Sequence, residues 1–290
     1  VKVALLQDES LGLDRQVRIS GGKGARDAGL LVWPEYSFMI QPGREKRYLE
    51  MLNGKLSGLG SVKVIGAAVV PSDTKEIKVG KVENMVLVLE PGGRLVGRYA
   101  KMHPIPCVEP FLVPNAIPRA VKTSIGILGI QICYDLDFED GSRRMAVQGA
   151  EILAVPNMDP WEWGRLQHYQ HSAMPPVRAV ETGLWVVRAA SSGSSQVISP
   201  VGCVVYELGF GKEGVLTGYA RMKRSSTVYT RFGWVLAPAS MVFTIGLLGA
   251  VKIYVHDSQL EKAKELLLEL DRGDFQTEED LDIKDDPGNE

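Results

Sequence analysis

The stretch Val-Lys-Thr-Ser-Ile-Gly-Ile-Leu-Gly-Ile-Gln-Ile-Cys-Tyr-Asp, residues 121–135, decides the fold class. Its first twelve residues are mostly apolar or β-branched, and they predict a strand that is buried on both faces. Cys133 ends this run, and the polar residues 134–140 lead into a helical pattern at 141–149. A thiol on a sharp strand-to-helix turn is a position where α/β enzymes carry a nucleophile. The alternative is a packed core thiol, because free Cys is among the most buried residue types.

Strand and helix patterns alternate along the rest of the chain, with β-hairpins in its middle and late parts. The turn Pro91-Gly92-Gly93, for example, joins two strand patterns. This alternation predicts a layered α/β sandwich. Strands are predicted at residues 1–8, 29–35, 62–70, 84–90, 94–100, 151–155, 184–190, 196–199, 204–208 and 215–219, and helices within 10–28 and at 48–58 and 165–182.

Composition and charge argue against several functional classes. The chain has 290 residues, 45% of them hydrophobic, which suits one large domain or one domain with an appendage. Its net charge of -2 offers no electrostatic basis for binding nucleic acid. Three cysteines, odd in number and far apart, indicate neither a disulfide framework nor a CxxC metal pair. His103, His168 and His171 are too few and wrongly spaced for a zinc signature, so no metal or cofactor is predicted.

The C-terminal part differs in kind from the rest. Residues 233–251 contain no charged side chain, and at ~1.5 Å per residue they would reach about 29 Å, close to the hydrocarbon thickness of a bilayer. They predict a transmembrane helix and therefore a protein of the cell membrane with one span near its C-terminus; the alternative is a buried core helix. Residues 252–272 predict an amphipathic helix, and the acidic residues 273–290 predict a disordered tail.

Three residues that suit acyl-transfer chemistry stand at the ends of predicted strands: Glu35, Lys101 and Cys133. In open α/β sheets the carboxyl edge is where reacting groups gather. A carboxylate can take the proton of a thiol, and an ammonium can stabilise both a thiolate and the oxyanion that forms when it attacks a carbonyl or nitrile carbon. Taken singly, an acid or a lysine at a strand end is usually a solvated rim residue.

The sequence motifs around these residues resemble those of the nitrilase (carbon-nitrogen hydrolase) superfamily. Trp33-Pro34-Glu35, Tyr99 to Glu109 with Lys101, and Ile132-Cys133-Tyr134-Asp135 occur in that order, and the resemblance covers residues 1–229. It implies a four-layer αββα sandwich over residues 1–230. It also implies that Glu35 is the general base, Lys101 the oxyanion stabiliser and Cys133 the nucleophile that forms a thioester. Glu109 and Tyr134 match supporting positions, although a loop carboxylate that caps backbone amides is an equal reading of Glu109.

Within the superfamily, the chain is similar to the catalytic domain of the apolipoprotein N-acyltransferase branch. The matching stretches are residues 101–114, 157–164, 167–168, 177–183, 188–193 and 227–233. This implies a phospholipid acyl donor, a lipoprotein amine as acceptor, and contact with membrane lipid, for which Trp161 and Trp163 are candidates. Asp135 stands where the branch usually has Glu. The branch carries membrane helices before this domain, and the chain begins with Val1, so we expect either a piece of a longer protein or a form that has lost those helices.

Three functions remain open at this point. The first is transfer of an acyl group from a Cys133 thioester to an amine. The second is hydrolysis of a small amide or nitrile, with water as the acceptor. The third is an inactive domain kept for binding or assembly, which the presence of Glu35, Lys101 and Cys133 disfavours. The oligomeric state is left open.

Overall fold

The chain, described here from a computed structural model, divides into two units, Val1–Gly233 and Trp234–Glu290. The residues that the structure describes are 1–10, 12–71, 82–112, 117–233, 235, 240, 261–262 and 264–265. Nearly all of the span predicted at 233–251 and of the amphipathic helix at 252–272, and the whole tail at 273–290, lie outside them and stay predictions. Among the described residues, no helix combines the length and the apolar character that crossing a membrane requires.

Thirteen strands and five α-helices lie wholly within the described part of the first unit. The strands are β1 Lys2–Gln7, β2 Leu30–Val32, β3 Phe38–Ile40, β4 Val62–Val69, β5 Glu83–Leu89, β6 Leu95–Ala100, β7 Val121–Thr123, β8 Gly126–Ile130, β9 Ile152–Asn157, β10 Trp185–Ala190, β11 Ser195–Ile198, β12 Val204–Leu208 and β13 Gly214–Tyr219. The helices are α1 Leu13–Ser20, α2 Lys23–Arg26, α3 Glu45–Leu56, α4 Glu139–Val147 and α5 Gly164–Thr182.

The strands form two mixed sheets. The first has the order β13-β1-β2-β4-β5-β6, with β3 paired to β4, and the second has the order β12-β11-β10-β9-β8-β7. Strands β1, β2 and β4 are parallel, as are β8, β9 and β10, and antiparallel strands extend both sheets. The parallel strands at the centre of each sheet need crossover connections, which the helices supply.

The sheets pack face to face, with helices on their outer sides. One buried apolar cluster contains Val64 of the first sheet together with Ile130 of the second and Met145 of α4. A second cluster packs Leu52 of α3 against Ile65 on the opposite face of the first sheet. Because α4 packs on β8 and α5 on β10, the layers run helix, sheet, sheet, helix. This is the α/β layering expected from the sequence.

The long strand predicted at 121–132 is wrong as a single element. Residues 121–130 form the antiparallel hairpin β7-β8, and only β8 enters the parallel centre of the sheet. The turn forms because Gly126 adopts a φ of 134°, which glycine tolerates, and because Thr123 Oγ1 donates to the Gly126 carbonyl over 2.7 Å. Glu90 also accepts hydrogen bonds from the backbone N–H and the hydroxyl of Ser124. Strand β3 and helix α2 are further elements that the sequence patterns did not predict.

Candidate active site

The three predicted reactive residues come together from two different sheets. Glu35 follows β2 and Lys101 follows β6 of the first sheet, whereas Cys133 follows β8 of the second. Each of the three is only 1% exposed. They line one cavity, which lies where the ends of these strands face each other. The three residues were expected at the edge of one sheet, but they lie where the strand ends of two sheets face each other.

Lys101 lies between two carboxylates. Its Nζ is 3.0 Å from Glu35 Oε1 and 2.8 Å from Glu109 Oε2. Burial opposes the charged form of Lys101, but Glu35, Cys133 and Glu109 outweigh it, so the pKa of Lys101 is raised above its ordinary value. The side chain is therefore a fixed cation in the cavity wall.

Glu35 is held in place on every side. Its Oε1 also accepts a hydrogen bond from Asn84 Nδ2 over 2.6 Å, and its Oε2 accepts one from the Met158 backbone N–H over 2.8 Å. The backbone before it passes so close to Gly66 that a Cβ there would lie 2.1 Å from the Pro34 carbonyl oxygen. Burial, followed by the neighbouring Glu109, raises the pKa of Glu35 against the opposing effect of Lys101. A carboxylate with a raised pKa is a stronger base than an exposed one.

Cys133 opens a tight 3-10 turn, Cys133–Asp137, at the end of its strand segment. Its φ is 49°, a left-handed conformation that costs energy for a residue other than glycine and that is common at functional sites. Sγ lies 3.7 Å from the Met158 carbonyl oxygen. Burial, and then the charge of Glu35, raises the pKa of the thiol, while Lys101 lowers it. Burial thus favours the neutral thiol, which lies close to a base and a cation.

Glu109 and Tyr134, the two predicted supporting residues, occupy different surroundings. Besides Lys101, Glu109 accepts hydrogen bonds from the Tyr36 hydroxyl over 3.0 Å and from the Ile105 backbone N–H over 2.8 Å. Glu109 therefore pairs with the cation and also caps a loop amide, and its supporting role in catalysis stays a prediction. Tyr134 packs edge-on against Phe138, with ring centroids 5.3 Å apart, and lines a neighbouring cavity.

Asp135 joins the turn at Cys133 to the loop that follows Lys101. Its fully buried carboxylate accepts hydrogen bonds from the Tyr99 hydroxyl over 2.7 Å, the Ile132 backbone N–H over 3.1 Å and the His103 backbone N–H over 2.8 Å. From the sequence Asp135 was noted only as a departure from a related pattern. An acid two residues after a thiol at the end of a buried strand is the signal that could have identified this anchoring role.

Two adjoining cavities lie at the site. We call the first the apolar cavity: it has a volume of about 420 Å³ and its described lining is Glu35, Tyr36, Met39, Val70, Val82, Lys101, Ile105, Val108, Glu109, Phe111, Cys133, Met158, Pro160 and Trp163. We call the second the wide cavity: its volume is about 760 Å³ and its described lining is Ile105, Val108, Tyr134, Asp137, Trp163, Gln167, Gln170, His171, Ala173 and Met174. Ile105, Val108 and Trp163 border both, so the two spaces adjoin.

The two tryptophans considered for membrane contact have different environments. Trp161 is 53% exposed and stacks on Phe210, with ring centroids 4.5 Å apart. Trp163 forms part of the wall between the two cavities. Insertion of this segment into a membrane interface stays a prediction.

A buried ionic cluster that the sequence did not reveal lies next to the thiol. Asp159 pairs with Arg188, both fully buried, and accepts a hydrogen bond from His171 Nδ1 over 2.7 Å and from Asn157 Nδ2 over 2.5 Å. Burial opposes ionisation of Asp159, but Arg188 and His171 outweigh it and hold the pKa of this carboxyl below its ordinary value. No local sequence pattern predicts this cluster, because Asp159, His171 and Arg188 come from three separate segments of the chain.

Sγ of Cys133, a carboxylate oxygen of Asp159 and a ring nitrogen of His171 all lie within 4.8 Å of one another. Such donors can share a metal ion in other proteins. Here, however, hydrogen bonds already occupy both oxygens of Asp159, and the Arg188 guanidinium balances its charge. The arrangement fits proton transfer better than it fits a second cation.

Known proteins of one family are similar to this chain. The model of the carbon-nitrogen hydrolase family matches residues 8–231. An apolipoprotein N-acyltransferase of Geobacter metallireducens is 29% identical over 250 residues, which cover 80% of this chain and 47% of that protein. A deaminated glutathione amidase of Escherichia coli O157:H7 is 30% identical over 139 residues, which cover 43% of this chain and 51% of the amidase. The chain thus spans about half the length of these curated relatives.

Solved structures show the same fold. The structure of Saccharomyces cerevisiae Nit3, a member of branch 10 of the nitrilase superfamily, has a TM-score of 0.61 and 23% sequence identity to this chain. The similar region covers 77% of this chain and 90% of Nit3.

Proposed function

The chain belongs to the carbon-nitrogen hydrolase family, an enzyme family of the nitrilase superfamily, and from this premise we propose that it transfers an apolar acyl group to an amine through a thioester on Cys133. Glu35 is the general base, Lys101 stabilises the oxyanion, and Glu109 holds Lys101 in place. Tyr134 supports the wall of the wide cavity. The region that carries this chemistry corresponds to residues 1–230.

One observation carries the proposal, namely the lining of the apolar cavity. Its charged groups, Glu35, Lys101 and Glu109, are joined to one another by ion pairs, and the rest of its described wall is mainly aliphatic or aromatic. A volume of about 420 Å³ lies within the usual range of small-molecule sites. Burying an acyl chain there is favourable by ~25 cal/mol per Å² of apolar surface, whereas a small polar amide gains little from such a wall.

The first half of the reaction follows from the contacts of the site. Glu35 takes the Sγ proton of Cys133, and the sulfur attacks the carbonyl carbon of the donor ester. Lys101 Nζ stabilises the oxyanion, the C–O bond breaks, and the alkoxide leaves with the proton held by Glu35. The acyl group remains as a thioester on Cys133.

The proposed donor is a phospholipid and the proposed acceptor is the N-terminal amine of a lipoprotein. Similarity to apolipoprotein N-acyltransferases over most of this chain supports both substrates. A membrane location agrees with such lipid-anchored substrates and with the uncharged sequence at 233–251.

Hydrolysis of a small amide is the second candidate. It is favoured by the polar groups of the wide cavity, among them Gln167 and Gln170, and by the similarity to an amidase. The inactive-domain hypothesis is disfavoured, since Glu35, Lys101 and Cys133 line one cavity.

The full chain is incubated with phospholipid vesicles of one defined acyl chain, and its intact mass is measured. We expect a mass increase of one acyl group on Cys133, and none in Cys133→Ala. A lipopeptide with a free N-terminal amine is then added, with its N-acetylated form as the control. Transfer to the free amine alone is the expected result. No adduct from phospholipid, together with turnover of short amides, would support the hydrolase instead.

A further inference from the structure

The proposed transfer releases a proton that Glu35 does not take up. An N-terminal amine has a pKa of ~7.7–8.0, so near neutral pH it arrives mostly as an ammonium. Forming an amide removes two protons from that nitrogen. One proton returns to the sulfur of Cys133 through Glu35, and the other needs a second base.

His171 has the geometry of such a base. It lies on α5, it lines the wide cavity, and a nitrogen of its ring lies within 4.8 Å of Cys133 Sγ. Its Nδ1 is 2.7 Å from Asp159 Oδ1. Since the Asp159 carboxylate can only accept, Nδ1 carries the hydrogen and the neutral ring has its lone pair on Nε2.

The other ring nitrogen of His171 forms no such hydrogen bond with the described residues. His171 Nε2 is buried, and it has no hydrogen-bond partner among the residues that the structure describes. The whole residue is only 7% exposed. An unpaired buried nitrogen is costly unless a ligand completes it.

The geometry points to His171 as the base that deprotonates the incoming amine, an inference that rests on the proposed transfer reaction. The acceptor enters through the wide cavity and gives one proton of its ammonium to Nε2. The neutral amine attacks the thioester carbonyl, and the C–N bond forms while Lys101 stabilises the oxyanion.

The remaining steps balance the protons. Glu35 takes the second proton from the attacking nitrogen, the C–S bond breaks, and that proton passes to sulfur to restore the thiol. The Asp159 carboxylate stabilises the imidazolium of His171 until its proton leaves to water through the wide cavity. The sum is one ammonium and one thioester giving one amide, one thiol and one proton.

The charged and titratable groups around His171 come from several elements. They are Cys133 and Asp137 of the turn after β8, Asp159 after β9, Arg188 of β10, and His168 and Arg178 of α5. Arg188 forms an ion pair with Asp159, and Arg178 forms one with Glu181. Among these groups, His171 is the one that lines the wide cavity, pairs with a buried carboxylate and has a ring nitrogen without a hydrogen-bond partner among the described residues.

The test separates the two half-reactions. Wild type and His171→Gln are acylated on Cys133, and the decay of the thioester by a peptide amine is followed between about pH 6 and pH 9, with each rate normalised to the acylated fraction. His168→Gln is the matched control, because His168 lies on the same helix but packs on Phe210.

We expect the His171→Gln deficit in amine transfer to be about tenfold at pH 7, to grow as the pH falls, and to close above about pH 8.5, where the amine is already neutral. With an alkylamine of pKa ~10.4 as acceptor, the deficit should persist to higher pH. His168→Gln should follow wild type throughout. A role in positioning alone predicts a deficit that does not change with pH or with the amine.

Each other outcome has a distinct meaning. A constant deficit, or none, overturns the role of His171 while leaving the transfer reaction intact. A wild-type enzyme that forms no adduct, or that passes it only to water, overturns the transfer reaction itself. If His171→Gln is not acylated on Cys133, His171→Asn is tested in its place, because it also keeps a donor for Asp159. If neither variant is acylated, a role of His171 confined to the second half-reaction is overturned.

Discussion

Replacing Lys101 with methionine tests the central ionic group of the site. Lys101→Met keeps a similar length but removes the cation that lies 3.0 Å from Glu35 Oε1 and 2.8 Å from Glu109 Oε2. Both carboxylates retain their neutral hydrogen-bond donors, yet two buried negative charges then face each other without a counter-charge. Removing one partner of a buried ion pair costs about 3–5 kcal/mol, so we expect a loss of this size in the free energy of unfolding at pH 8.

The loss should depend on pH in a definite direction. The pKa of Glu35 is already raised by burial with Lys101 present, and without the cation it moves further above the unfolded value of ~4.3. The folded variant then holds a proton that the unfolded chain lacks. Its stability relative to wild type therefore improves as the pH falls from the folded pKa of the variant to the folded pKa of wild type, by up to about 1.4 kcal/mol per pH unit, and worsens as the pH rises through the same window.

Urea unfolding of the wild type, Lys101→Met, Glu35→Gln and the double variant at several pH values measures these effects. The double variant should lose less stability than the sum of the two single variants, because removing one carboxylate relieves the repulsion. Its acylation rate should not recover, since the oxyanion donor, worth about 3–4 kcal/mol of barrier, is still missing. A stability loss that is the same at every pH and strictly additive would refute the ionic coupling.

Three further predictions follow from the same contacts. Cys133→Ala should abolish the acyl adduct while leaving the urea midpoint near that of wild type, and an adduct in this variant would place the reaction elsewhere. Gly66→Ala should destabilise the fold by about 1–3 kcal/mol and slow acylation, because its Cβ would lie 2.1 Å from the Pro34 carbonyl oxygen; unchanged stability and rate would contradict this close approach. Asp159→Asn should cost about 3–5 kcal/mol of unfolding free energy by leaving the Arg188 charge unpaired, and a variant as stable as wild type would show that the pair is not formed.

Local sequence patterns were sufficient for most strands and for the residues at their ends. Strands β1, β5 and β9 begin and end within a few residues of their predicted bounds, because runs of apolar and β-branched residues report burial directly. The positions of Glu35, Lys101 and Cys133 after such runs were also predicted from the sequence. The hairpin β7-β8 was not predicted, since Gly126 lies within a mostly apolar run and the turn is also held by Glu90, which follows β5 and reaches Ser124 only in the fold.

The sequence by itself determined that the candidate reactive residues each stand at the end of a strand, because that is a property of neighbouring residues. Only the tertiary structure decided that β2 and β6 belong to one sheet and β8 to another, so that Glu35 and Lys101 meet Cys133 across the interface. Only the fold, likewise, brought Asp159, His171 and Arg188 beside the thiol. Strand pairing and the pairing of buried charges are set by contacts between segments far apart in the chain, and periodicity within one segment carries no information about them.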